Sequence, residues 1–312
     1  MTAVNAQQPR GPEGVGGTVF DIGYRSYAGP REGTGRARRA IVRDGIRIAL
    51  GFGRSGRAKV LPWLFISVLA AIATVMAIIA GAAERIGGAG TADQMRLPSH
   101  GDYYGIASII VFVFAAVVAP MLLCPDRREG VISLYLVRPL TGGDYVAARW
   151  AASFIVMLGA VWLPQVVLFL GLAGGDPTPV QYLRQHWLDV PRFLLAGAAM
   201  AAYTTTLALL TASFTTRRAY ASVFLVGLFV VTAPFTLVLA REIGGTAGQW
   251  ISMFNLTSIP VHVNDVIFGK ASDMTEDAPA RELGATVLVA WYFAWTLIPA
   301  AVLWMRYRRL SP

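Results

Sequence analysis

Charge is what this sequence of 312 residues has least of. Only 14% of it is charged, against 55% hydrophobic, where a water-soluble domain carries about a quarter charged residues. That deficit argues against an ordinary soluble fold and places the chain among membrane proteins. A single cysteine, Cys124, excludes an internal disulfide and a cysteine-built zinc site. Lysine occurs only at Lys59 and Lys270, and no G-x-x-x-x-G-K-[ST] is present, so nucleotide phosphates cannot be cradled in the P-loop manner. The histidines are three, His100, His186 and His262. They are far apart and outside any H-E-x-x-H pattern, and G-x-S-x-G is absent, so surface or capping roles are expected for them. These gaps leave no catalytic residue, metal ligand or cofactor to assign, and the chain is not expected to be an enzyme. Residues 1–35 are polar and Gly-rich without an apolar centre. They read as a disordered N-terminal segment rather than a secretory signal.

What is present is a set of long apolar runs. Crossing about 30 Å of hydrocarbon takes roughly 20 apolar residues, and six runs qualify: 60–83, 104–124, 146–172, 193–214, 219–240 and 283–305. Arg149 is the exception in runs otherwise essentially free of ionisable side chains. The expected fold is therefore all-α, a polytopic domain of six transmembrane helices over 60–305 with a basic tail, 306–312. Only Thr215-Thr216-Arg217-Arg218 separates the fourth run from the fifth. Of the 27 basic residues, 20 fall in the N-terminal region, the second and fourth links and the tail. The remaining ones, such as Arg85 and Arg192, are outnumbered on their side by acids. Because cytoplasmic loops are enriched in Lys and Arg, both termini are expected in the cytoplasm and the protein in the cell membrane. The net charge of +9 is thereby explained without nucleic acid as a partner. The scarcity of embedded acids also argues against a proton- or sodium-driven carrier.

Before the first span, 36–59 reads RARRAIVRDGIRIALGFGRSGRAK. Ile41, Val42, Ile46 and Leu50 alternate with Arg38, Arg39, Arg43 and Arg47 at roughly helical spacing. An interfacial amphipathic helix fits, its apolar side in the acyl boundary and its arginines toward anionic headgroups. A basic tether to the membrane is the alternative.

The link between the second and third spans reads CPDRREGVISLYLVRPLTGGDYVAARW from Cys124 to Trp150. Pro125-Asp126 with Glu129 three residues on is the pattern of a capped helix start. Val131, Leu134, Tyr135 and Leu136 give that helix an apolar face, and Pro139 stops it. Thr141-Gly142-Gly143 then turns the chain, and Asp144 can cap the third span. A short helix across the ends of the spans fits this pattern, as does an amphipathic loop.

The order acid, base, Glu-Gly, apolar residues, Pro, turn and base resembles the cytoplasmic loop of ABC-2 type transporter permeases. Glu129-Gly130, Leu134, Leu136, Pro139 and Arg149 occupy the corresponding places. Gly142-Gly143 stand where that family often has a basic residue. Six spans, both termini inside and an amphipathic helix before the first span extend the resemblance over the chain from about Arg36. What it implies is a permease subunit, an exporter, whose 125–145 loop couples to a separate ATP-binding subunit. Asp126, Arg127, Arg128, Glu129, Gly130, Leu134 and Pro139 would form that coupling element, with Arg127, Arg128 and Glu129 its docking charges. ATP would be bound by the partner, two copies of which would serve a pair of permeases, identical or related. Membrane lipids complete the expected partners.

Polar residues inside the spans mark a candidate translocation path: Gln165, Tyr203, Thr204 and Thr236. For the threonines, packing between helices through bonds to their own backbone is the competing role. The external link 241–281 contains two apolar stretches within 249–268, too short to span and suited to re-entrant or interfacial helices. A different class of function remains open: a non-transporting anchor or assembly protein that recruits cytosolic partners through its Arg-rich N-terminal segment.

Overall fold

Backbone amides in hydrocarbon have no water to bond, so an apolar chain satisfies them within helices. The computed structural model describes residues 33–53, 56–88, 91–95, 97–136, 140–176, 178–271, 275 and 278–309, and no strand occurs among them. The segment 1–32 and residues 137–139, with Pro139, lie outside the described residues.

In chain order the helices are α1 (Thr34–Ala49), α2 (Gly56–Gly87), the short α3 (Thr91–Gln94) and α4 (His100–Arg128). There follow α5 (Ile132–Leu136), α6 (Gly142–Gly175), α7 (Pro179–Gln185), α8 (Asp189–Ser213) and α9 (Arg218–Ile243). The chain closes with α10 (Gly245–Ser252), α11 (Ile259–Phe268), a 3-10 turn at Pro279–Leu283 and α12 (Ala285–Arg308). Six of them, α2, α4, α6, α8, α9 and α12, are long and apolar enough to cross a membrane. These are the six expected runs.

Burial separates inner from outer helices. In the most apolar stretches of α4 and α8, 67% of residues are buried, against 22% in α9 and 28% in α12. The outer helices present Val223, Phe224, Val231 and Phe235, and Phe293, Leu297 and Ile298, to their surroundings, as a hydrocarbon solvent requires. Small residues let α2 and α6 approach to backbone contact. A Cβ added to Gly175 would lie 2.5 Å from the Gly81 Cα, the close approach that glycine permits between membrane helices.

The 34 residues of α6 make a rod of about 51 Å at 1.5 Å per residue, longer than the hydrocarbon is thick. Its N-terminal turns therefore have length to spare, and α1 packs along them. Ile41, Gly45 and Ala49 form the buried side of α1, and a Cβ on Gly45 would meet the Ala152 side chain at 2.6 Å. One side of α1 thus faces the protein, while Val42 and Ile46 on the neighbouring side stay half-buried. The helix also stops at Ala49, short of 59. Gly51 has φ 74°, and the Phe52 amide donates to the Arg47 carbonyl at 2.8 Å, a glycine-terminated helix end.

The second correction concerns Pro125 and Asp126. They do not begin a helix; they lie in the last turn of α4. Glu129 is the C-terminal cap residue, Gly130 has φ 68°, and the Val131 amide returns to the Asp126 carbonyl at 3.0 Å. DRREG is thus a helix ending, with Arg127 and Arg128 beside the negative end of the helix dipole and glycine just beyond. The separate helix of the link shrinks to the five residues of α5. At the start of α6 Thr141 is the cap: its hydroxyl accepts from the Asp144 amide at 3.1 Å, and the Asp144 carboxylate accepts from the Thr141 amide at 3.1 Å.

Candidate functional site

Continuing α4 past Pro125 aims Asp126 at α6. There its Oδ2 accepts from the Tyr145 hydroxyl at 2.6 Å and from Arg149 Nη2 at 2.7 Å. Arg149 reaches Asp44 of α1 with its other amino group, at 3.2 Å. The side-chain exposures are 1% for Arg149, 15% for Asp126 and 53% for Asp44, so a buried guanidinium joins a shielded carboxylate to an open one. Arg149 also lies over the Tyr145 ring, which stacks on Tyr307 of α12. A further ion pair, Arg38–Asp144 at 2.7 Å, ties α1 to the cap of α6. Tyr135 of α5 packs on Tyr145; burial first, and the Asp126 charge second, raise its phenol above the ordinary value.

Next along α4, Arg127 turns toward α8. Its Nη1 donates to the Ser213 carbonyl and, at 3.5 Å, to that of Thr215. Arg306 of α12 donates to the same Ser213 oxygen at 3.2 Å and stacks over Phe214. The unpaired carbonyls that end every helix are here supplied with donors from two other helices. A concavity of about 730 Å³ lies beside this junction, lined by Asp126, Arg127, Ile132, Ser133, Arg306 and Tyr307 among others.

The structure therefore divides the expected coupling residues. Asp126 and Arg127 are partly buried and bind other helices, whereas Arg128, Glu129 and Gly130 are exposed. Leu134 falls within α5, and Pro139 is outside the described residues. The residue undervalued from sequence is Arg149. A lone charge inside a span calls for a partner, and its partners, Asp44 and Asp126, are 105 and 23 positions away.

The four polar residues considered for a translocation path are all buried and bonded. Gln165 accepts from His100 Nδ1 at 2.7 Å and donates to the His100 carbonyl at 3.1 Å. Since the amide oxygen can only accept, Nδ1 carries the imidazole proton. Tyr203 donates to the Leu256 carbonyl at 2.9 Å, and Thr204 and Thr236 return to carbonyls one turn back in their own helices.

The histidines depart from expectation. His100 and His262 are buried rather than superficial, and only His186 is substantially exposed, against Asp189 at 3.0 Å. His262 belongs to α11, which is not laid on the surface. Seven of its ten residues are buried, and it packs against α8, α12 and α4. Burial, with the Arg281 charge as a lesser cause, lowers the His262 imidazole to about 4. Asn264 secures the same helix by donating to the Gly101 carbonyl at 2.9 Å.

Compared with known proteins, the chain matches no family model and no curated protein.

Proposed function

We propose that this chain is the permease subunit of an ABC-2 type transporter, working as an exporter in the cell membrane with both termini in the cytoplasm. One observation carries the reading. At the end of the spans where the basic loops gather, Arg128 and Glu129 stand exposed beside a charged concavity of about 730 Å³. Their inward neighbours Asp126 and Arg127 fasten the same helix end to α6 and α8. A cytosolic ATPase that pressed on 128–136 would thus act on three spans at once. The chain supplies no phosphate-binding loop, so nucleotide binding and hydrolysis belong to the partner. Two copies of that partner and a second permease complete the assembly.

The test is co-expression with a candidate ATP-binding cassette subunit. Arg128→Glu and Glu129→Lys should each weaken co-purification and reduce the permease-dependent ATPase rate. If both variants assemble and turn over like the parent chain, this face is not the coupling surface.

A further inference from the structure

A second groove, of about 650 Å³, runs between α1 and the first turns of α6. Its two kinds of lining are segregated. Arg39, Arg43 and Arg47 recur every fourth residue and so form one stripe along α1. All three are exposed, and none has an ion-pair or hydrogen-bond partner among the described residues. Arg38 at the groove's end is already paired with Asp144. The wall below the stripe is apolar: Val42 and Ile46 from α1, Ala147 and Ala151 from α6. Small side chains on α6 leave the width, and α1 cannot close the gap because Gly45 already rests on Ala152. At the far end Phe52 is 42% exposed, edge-on to Trp63 at 6.3 Å, with Lys59 over its ring at 6.0 Å.

We infer that this groove is a binding site for one anionic phospholipid, its headgroup phosphate on Arg39, Arg43 and Arg47 and its acyl chain along Val42, Ile46 and the α6 alanines. The charge pattern selects the ligand. An apolar trough alone would accept any lipid, and three free guanidinium groups alone would accept any anion. Together they demand a molecule that is anionic at one edge and hydrocarbon below it. The position supplies such molecules, because the groove opens beside the first turns of α2 and α6, at one end of the spans. Tryptophan is a usual neighbour of headgroups at that level, and here Trp63 packs edge-on to Phe52.

Native mass spectrometry of the full-length chain, released from nanodiscs with graded phosphatidylglycerol in phosphatidylcholine, tests the assignment. The chain should keep one phosphatidylglycerol in preference to phosphatidylcholine. Each basic residue beside an anionic headgroup is worth roughly fivefold in affinity. Replacing Arg39, Arg43 and Arg47 by Gln should therefore weaken retention about a hundredfold. Ala147→Leu keeps every charge but fills the trough, and it should weaken retention as well. Equal retention of both lipids, or an unchanged phosphatidylglycerol affinity in the triple variant, would overturn the proposal. So would displacement of the lipid by glycerol phosphate at matching concentration, which would mean an anion site without a lipid groove. A persistent second copy of the chain displacing the lipid would mean a protein interface instead. Because Arg39, Arg43 and Arg47 are exposed and unpaired, the triple variant should retain the parent's helicity and melting temperature, separating lost binding from lost fold.

Discussion

Arg149 and Asp126 meet at 2.7 Å with the arginine side chain 1% exposed, fixing the third span against the end of the second. Removing one member of a buried pair leaves an uncompensated charge, which costs about 3 kcal/mol or more. Asp126→Ala should therefore lower the unfolding free energy in detergent by about that amount. Asp44→Ala, at the exposed partner, should cost about 1 kcal/mol or less. Exchanging Asp126 and Arg149 together for Leu and Met should restore most of the Asp126→Ala loss. Equal losses for Asp126→Ala and Asp44→Ala would show that the guanidinium does not distinguish them.

The α2–α6 contact gives a prediction of opposite sign at two glycines of one helix. Alanine at 175 would drive a methyl against the Gly81 backbone, with no side chain able to move aside, and should cost about 2 kcal/mol. Alanine at 159 would meet nothing within 4 Å and should stabilise by about 0.5 kcal/mol through helix propensity. Thermal unfolding of the two single variants reads both.

For the buried amide, Gln165→Leu would strip His100 Nδ1 of its acceptor. An unsatisfied buried donor costs about 2 kcal/mol, so the melting temperature should fall. Adding His100→Phe should recover much of it. A double variant no better than the single would mean that the two side chains do not act as a pair.

Acid should destabilise the fold through His262. Its folded value near 4 lies below the ordinary histidine value of 6.5, so the unfolded chain takes up a proton that the folded chain refuses. Stability is full above about pH 6.5 and declines as pH falls toward 4, by about 3 kcal/mol from this group. Neither ring nitrogen has a hydrogen-bond partner among the described residues, so His262→Phe should be tolerated at pH 7.5 and should flatten the decline. Melting curves at stepped pH compare the two chains.

The spans were legible because hydrocarbon imposes one rule on every residue of a crossing helix. Ends were not, because they obey local rules that can point either way. In Pro125-Asp126-Arg127-Arg128-Glu129-Gly130 the leading Pro-Asp suggests a start, while paired arginines and glycine suggest a stop. Tertiary contacts decided it: only with α4 continued does Asp126 reach Arg149 and Arg127 reach the end of α8. The same holds for α1, whose periodicity was readable but whose partner was not. The clues to docking were Gly45 and Asp44, and neither reveals from sequence that Ala152 and Arg149 await them. His100 and Gln165, 65 positions apart, could not be paired from one sequence.

One carbonyl oxygen, that of Ser213, takes donors from both Arg127 and Arg306. A guanidinium does not lose its proton at any physiological acidity, so no change of pH unties this knot. A nearby anion could compete for the arginines, but water alone offers them little advantage once the oxygen is shared. What loosens it is displacement: a pull on α4 that draws Arg127 away leaves Arg306 as the surviving tether. With Arg127 drawn away, α8 and α12 stay joined through Ser213 and Arg306.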